Sequence, residues 1–278
     1  MTTIATSFSE LEEQICQRFD SLSKRLRQVG RYLLDNQERV AFDTVAVIAE
    51  QADVPPSTLI RFARAFGFSG FNEMKTLFRA ALVEGTSNYN ERRRLFIELE
   101  EEPLDPESPP DILHRFAKAN ADALEQLVSL VNDEDLKRAV TILNQADTIH
   151  ILAAGRSFNV GVYLAYALRH LGRKALLIDG LGGMFEEQVS MISAKDAVVA
   201  ISFSPYASQT KSSIESISKI GCQLISLTDS AVSPLSGPSD VCFVIKEASV
   251  EGFRSQSATL CVTQTLTVSL AALSDKQD

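Results

Sequence analysis

Apolar residues recur at helical spacing through the first third of the chain. Leu11, Ile15 and Phe19 form one face of a short helix from Ser9 to Phe19. Leu26, Val29, Leu33 and Leu34 form the face of a second, for which Ser23 is a natural N-cap. A third helix is expected from Thr44 to Ala52, with Val45, Ile48 and Ala49 inward, Asp43 or Thr44 capping it, and Asp53 and Val54 forming a tight turn. Pro56 suits a first helical position, because its missing N–H would have no partner there, and Gly67 is a natural stop, so a fourth helix spans about Pro56 to Phe66. Within it Leu59, Phe62, Ala63 and Phe66 repeat at three and four, which leaves Ser57, Thr58, Arg61 and Arg64 for solvent. A fifth helix, about Phe71 to Val83, completes an all-α N-terminal part.

The pattern then breaks. Arg92, Arg93 and Arg94, followed by Glu98, Glu100, Glu101 and Glu102 and four prolines by Pro110, read as a partly helical linker. This sets a layout of residues 1–84, a linker over 85–110, and a second domain over 111–278. Asp111 to Val131 and Asp133 to Asn144 predict two more helices. From Thr148 the chain alternates short β-rich runs (TIHILAA, KALLID, AVVAISF, CQLISLT, VCFVI) with helical stretches at Phe158 to Leu171, Gly183 to Ile192, Ser208 to Ile220 and Phe253 to Leu273. Near-continuous apolar strands between helices predict a parallel sheet covered on both faces, so the fold class is α/β with an all-α N-terminal domain.

Charge sharpens this division. The net charge of −9 argues against nucleic acid only if it is evenly spread. Residues 20–83 hold nine Lys or Arg (Lys24, Arg25, Arg27, Arg31, Arg39, Arg61, Arg64, Lys75, Arg79) against seven Asp or Glu, whereas residues 84–278 hold 17 against 26. The N-terminal part is the phosphate-compatible face, and its small excess favours a dimer that pools two such faces. Four scattered cysteines and three scattered histidines follow no ligand spacing, so neither a disulfide framework nor a metal site is expected. No secretory signal pattern or bilayer-spanning apolar run is present in the sequence, and a cytoplasmic protein is expected.

Two helices around a tight turn, the second carrying hydroxyls and guanidiniums outward, suit a DNA-reading unit. Ser57, Thr58, Arg61 and Arg64 would enter the major groove, with Thr44 and Lys75 on phosphates. In an open parallel sheet, ligands bind beyond the C-terminal strand ends. Two segments fall there. Gly155 permits a tight turn after the first strand, and Ser157 can donate from the helix start. Ser202, Ser204, Ser208 and Thr210 crowd the end of the third strand, where Ser208 and Thr210 could instead cap the helix. Such neutral donors suit a phosphate or polyhydroxylated ligand. A dinucleotide cofactor is not expected, because the first turn lacks G-x-G-x-x-G.

The stretch LSKRLRQVGRYLLDNQERVAFDTVAVIAEQADVPPSTLIRFARAFGFSGFNEMK resembles the helix-turn-helix of the RpiR/MurR transcriptional regulators. The chain from Ile149 onward, including ILAAGRS, ISFSPY and SLTDSAVSPLSGPSD, resembles their sugar isomerase (SIS) domain. The resemblance implies a cytoplasmic repressor or activator, dimeric or tetrameric. Its SIS domain would have a five-stranded parallel sheet and bind a phosphorylated sugar or related metabolite. The chain departs from the pattern at three places. Pro55 stands where many members cap the recognition helix with serine. Pro205 replaces the glycine of S-x-S-G-x-T, displacing the threonine to Thr210. Ala153 replaces the first glycine of G-x-G-x-S.

Two functions of different class are compatible with these residues. One is a ligand-controlled DNA-binding regulator. The other is a sugar-phosphate isomerase or lyase, which needs a general base near a C–H bond, the candidates being Glu186, Glu187, Glu251 or a histidine such as His170. An enzyme would have no use for the N-terminal stretch, so the regulator reading leads.

Overall fold

A computed structural model describes residues 4–5, 8–85 and 108–274. The chain divides into two compact units, an N-terminal helical one and an α/β one that begins at Ser108. The expected linker falls largely on residues 86–107, outside the described residues.

The helical unit contains α1 (Phe8–Arg18), a single 3-10 turn, α2 (Lys24–Asp35), α3 (Gln37–Phe42), α4 (Val45–Gln51), α5 (Pro56–Ala65) and α6 (Phe71–Gly85). Ser23 caps α2, its hydroxyl accepting from Leu26 N at 3.5 Å, and Thr44 caps α4 in the same way from Val47 N at 3.4 Å. Helix α3 was not predicted by the periodicity; at six residues it is too short to show a repeat, yet it buries Val40 and Ala41. Leu11, Ile15, Val29, Leu33, Ile48, Leu59, Phe62, Phe66, Met74 and Phe78 share one core. Gly30 lets α1, α2 and α5 approach closely, since a Cβ there would lie 3.3 Å from Ile15 and 3.4 Å from the Phe62 ring.

In the second unit α7 (Pro109–Leu130) starts two residues before the expected Asp111, because the Asp111 carboxylate accepts from the Ser108 amide (3.2 Å) and hydroxyl (2.6 Å). Next come α8 (Asp133–Gln145), β1 (Ile149–Ala153), α9 (Phe158–His170), β2 (Ala175–Ile178), α10 (Phe185–Ser190), β3 (Ala197–Ile201), α11 (Ser208–Ile220), β4 (Gln223–Thr228) and β5 (Val241–Val244). The five strands form one parallel sheet in the order β2-β1-β3-β4-β5. Of two very short strands, β6 (Ser249–Val250) and β7 (Phe253–Arg254), the second occupies residues expected to open the last helix, so α12 runs from Ser257 to Ser274. Glu251 and Gly252, both at positive φ (47° and 74°), make the turn that delays it.

Alternate strand residues feed two cores. Ile149, Ile151 and Ala153 of β1 pack with α8, α9 and α12, and Leu152 faces the layer that includes α10 and α11. Helix α9 lies so close to β1 that a Cβ on Gly161 would stand 2.7 Å from that of Ala153. The strand order reverses direction between β1 and β3, which places the ligand crevice of such a sheet beyond Ala153 and Ile201.

Candidate functional site

Two surfaces concern function, one in each unit. The first is α5 and the turn before it. Pro55 precedes the helix without a side-chain cap, and Asp53 takes the left-handed conformation (φ 52°) that tightens the turn. Arg25 donates to the Asp53 carbonyl at 3.2 Å, and Gln28 donates to those of Ala52 (3.0 Å) and Asp53 (3.3 Å), so α2 clasps this turn from outside.

Along α5, Ser57, Arg61 and Arg64 are exposed as predicted. Thr58 is not: it is 1 % exposed. The reason is helical geometry, since Thr58 lies one turn before Phe62 on the core face. Ile60 takes the outer position instead, 40 % exposed. From inside, the Thr58 hydroxyl accepts from Arg61 Nη2 at 3.2 Å and steadies that guanidinium. Lys75 also departs from expectation. It is buried, and its Nζ donates to the Asp43 carbonyl at 2.6 Å, bracing α6 against the entry to α4 rather than reaching outward. Thr44 is exposed, with its oxygen engaged as the α4 cap. Sequence reasoning passed over α2, whose Lys24, Arg27 and Arg31, spaced at three and four, line an open groove with Phe19 and Gln28.

The second surface is the crevice at the C-terminal strand ends. Gly155 (φ 57°) turns the chain from β1 into a 3-10 turn and α9. Beyond β3 the chain runs Ser202, Phe203, Ser204, with a cis bond to Pro205, and reaches α11 at Ser208. Ser157 and Ser202 are buried and Ser204 is half-buried. None of the three hydroxyls has a hydrogen-bond partner among the described residues. The Thr210 hydroxyl is fully buried and likewise unpartnered. Ser208 differs: it is exposed, at the first position of α11, and its hydroxyl donates to Gln209 at 3.2 Å.

Several neighbours were not anticipated. Asp229, just past β4, accepts from the Ser204 amide at 3.0 Å and from the Tyr206 hydroxyl at 2.7 Å. Burial first, and then this carboxylate, push the Tyr206 phenol far above its ordinary range, so Tyr206 is a fixed donor. Lys246 donates to the Asp229 carbonyl at 2.7 Å. Arg156 (3.5 Å) and Arg254 (3.3 Å) both donate to the Ser204 carbonyl, and Arg254 lies over the Phe203 ring at 4.4 Å. Gln256 donates to the Arg156 carbonyl, and its own buried Oε1 has no partner. Glu247 accepts from the Ala258 and Thr259 amides (3.2 and 2.7 Å) and so caps α12. Ser157, Phe203, Glu247, Arg254, Gln256 and Thr259 line a cleft too tight to admit a water molecule.

The candidate bases differ in their surroundings. Glu186 and Glu187 are exposed on the first turn of α10, His170 is exposed against Tyr166 (ring centroids 4.2 Å apart), and Glu251 is buried in the β6–β7 turn. Among the described residues no group of three or more His, Cys, Asp or Glu could hold a metal ion, and no helix is long and apolar enough to cross a membrane.

Comparison with known proteins bears on both surfaces. Residues 9–84 match the helix-turn-helix domain of the rpiR family, and residues 142–274 match the SIS domain. An uncharacterised HTH-type transcriptional regulator of Haemophilus influenzae is 25 % identical over 81 % of this chain and 76 % of its own length. The HTH-type transcriptional regulator HexR of Pseudomonas aeruginosa is 26 % identical over 84 % and 78 %. Among solved structures, the Vibrio vulnificus NanR protein complexed with ManNAc-6P is 26 % identical with a TM-score of 0.56, covering 94 % of this chain and 90 % of that one.

Proposed function

The chain belongs to the rpiR family of helix-turn-helix transcriptional regulators with a SIS domain, and on that premise we propose that the SIS domain senses a phosphorylated sugar or related carbohydrate metabolite and thereby alters operator binding. The reading rests on one observation. At the strand-order reversal, where such a sheet binds ligands, Ser157, Ser202, Ser204 and the buried Thr210 present hydroxyls that no group among the described residues uses. The phosphosugar bound by the NanR relative supports the ligand class. In this reading Gly155 contributes the tight turn, and Ser208 lies at the rim of the site.

On the DNA side, Ser57, Arg61 and Arg64 read the major groove, Thr44 flanks a phosphate, and Thr58 and Lys75 act from within by holding Arg61 and the α4 entry. Residues 1–84 form the reader, 85–110 the connector and 111–278 the sensor, working in the cytoplasm. A homodimer or homotetramer is favoured by the outer face of α9, where Phe158, Val162 and Tyr166 stand one turn apart and are 40, 42 and 59 % exposed. A sensor is favoured over an enzyme, because Glu186, Glu187 and His170 are exposed and lack the enclosure a base attacking a C–H bond requires, while the buried Glu251 belongs to the β6–β7 turn.

The test is a thermal-shift screen of the full chain against phosphorylated and unphosphorylated sugars and polyols, followed by operator binding with each hit. A compound that raises the melting temperature and changes operator affinity is the expected result. Turnover of a sugar phosphate without any effect on operator binding would replace the sensor by the isomerase reading.

A further inference from the structure

We propose that Asp229 sets the ligand specificity of the crevice: its carboxylate stands at the loop after β3 as a built-in anion, so the group a carbohydrate presents there is a hydroxyl or an amine and not a phosphate. The inference rests on the sensing role proposed for this crevice and names the residue that chooses between phosphorylated and unphosphorylated effectors.

Three observations carry it. First, donors of that loop are already engaged. The Asp229 carboxylate receives the Ser204 amide at Oδ2 (3.0 Å), and at Oδ1 the hydroxyls of Tyr206 (2.7 Å) and Thr228 (3.3 Å). Pro205, between Ser204 and Tyr206, has no N–H to offer. An oxyanion seeking those donors would have to displace a carboxylate and stand beside its charge. Second, that charge is not cancelled by an ion pair. Lys246 donates to the Asp229 carbonyl (2.7 Å), and Arg156 (3.5 Å) and Arg254 (3.3 Å) donate to the Ser204 carbonyl. Among the described residues no basic side chain forms an ion pair with the Asp229 carboxylate. Third, the carboxylate keeps room for one more donor. Asp229 is the first residue past β4 and is only half-buried, at the strand ends that open on the crevice. Its Oδ2 accepts a single donor among the described residues, the Ser204 amide, which leaves a lone pair for a ligand O–H or N–H.

A carboxylate at this place selects by sign. From a hydroxyl or an ammonium it accepts a charge-assisted hydrogen bond, whereas a phosphate brings acceptor oxygens and a charge of about −1.5 to −2. The hydroxyls of Ser157 and Ser202 and the unpartnered Thr210 hydroxyl can each donate or accept, so they suit the remaining hydroxyls of a sugar without requiring that it be charged. The predicted ligand is therefore a sugar or amino sugar with a hydrogen-bond donor directed at Asp229.

Titration calorimetry on the full chain tests this with two matched pairs of probes: glucosamine with glucosamine 6-phosphate, and N-acetylmannosamine with N-acetylmannosamine 6-phosphate. The measured quantity is the affinity ratio within a pair. Wild type should bind the unphosphorylated member more tightly. Asp229→Asn keeps the shape and an acceptor but removes the charge, and should move the ratio toward the phosphate by at least about 10-fold, the penalty for apposing like charges at a binding site. A merely structural role would weaken both members of a pair together and leave their ratio where it was. The wild-type ratio needs no substitution, so the proposal stays falsifiable should circular dichroism show that Asp229→Asn fails to fold. A wild-type preference for the phosphates, or a ratio equal in wild type and a folded Asp229→Asn, overturns the role of Asp229 and leaves the sensor standing. Failure of all four probes to bind either protein overturns the proposed effector class and this assignment with it.

Discussion

Replacing Lys75 with alanine separates two meanings of a basic residue in a DNA-binding unit. If Lys75 held a phosphate, its loss would leave the fold intact and weaken binding to every DNA sequence. The structure points the other way: the side chain is 6 % exposed and its ammonium reaches the Asp43 carbonyl at 2.6 Å. Truncation removes three buried methylenes, at about 0.8 kcal/mol each, and a charged hydrogen bond of about 1.5–3 kcal/mol. Relief from holding a desolvated ammonium offsets part of this, for a net cost of about 2–4 kcal/mol. For a helical unit of this size each kcal/mol lowers the melting temperature by about 4–8 °C. Fluorescence or calorimetric melting should therefore show a drop of about 10 °C or more in the transition that reports the N-terminal helices. Operator affinity measured well below that transition should stay within about twofold, the log K against log salt slope being unaltered. A variant with unchanged melting and a slope reduced by about 0.9 would refute the structural role and return Lys75 to the phosphate backbone.

Other consequences can be measured independently. Arg61→Ala and Arg64→Ala should each cost about 1–3 kcal/mol at the operator and relax base preference; a loss equal on all sequences would mean phosphate contact instead. Alanine at Ser157, Ser202 and Ser204 together should abolish the metabolite response and leave operator affinity without ligand intact, so an undiminished response would move the site elsewhere. The buried His150–Asp196 pair (3.5 Å), at the opposite strand ends, predicts acid sensitivity. Burial holds His150 below its ordinary 6.5 despite the adjacent Asp196. Burial raises Asp196, but the Ser193 hydrogen bonds and His150 bring it net below its usual value. Both groups thus bind more protons when unfolded, so their contribution is complete above pH 6.5 and falls away as the pH drops. The denaturation midpoint should decline from about pH 7 to about pH 5, less steeply in His150→Gln, and equal slopes would remove His150 from the account.

What the sequence makes legible depends on the range over which each signal acts. The five strands were readable because a sheet covered on both faces demands continuous apolar runs, and β1 and β3 are buried at every position. Helix α5 was readable from Pro56, Gly67 and the three-and-four repeat. Its outer face was less so: Thr58 counts as polar by type, but its place one turn before Phe62 outweighs its chemistry. Lys75 shows the same limit, since a long stem can bury itself and still deliver its charge to a backbone oxygen.

The crevice gives the sharper case. Ser157, Ser202 and Ser204 were visible because each lies in or just after a local strand-to-helix turn. Asp229 and Arg254 reach the loop after β3 only through contacts spanning 25 and 50 positions, which no local pattern encodes, whereas Arg156 sits beside Ser157 in the turn after β1. Yet a usable signal existed for one of them. The rule that ligands gather beyond the C-terminal strand ends applies to every strand of the sheet, and Asp229 is the first residue after β4. Applied there, it predicts a carboxylate facing the serine loop, and with it the difficulty a phosphate meets at the Ser204 amide. A departure from the family motif at Pro205 therefore has to be judged together with the loop after β4, because the two share one set of donors.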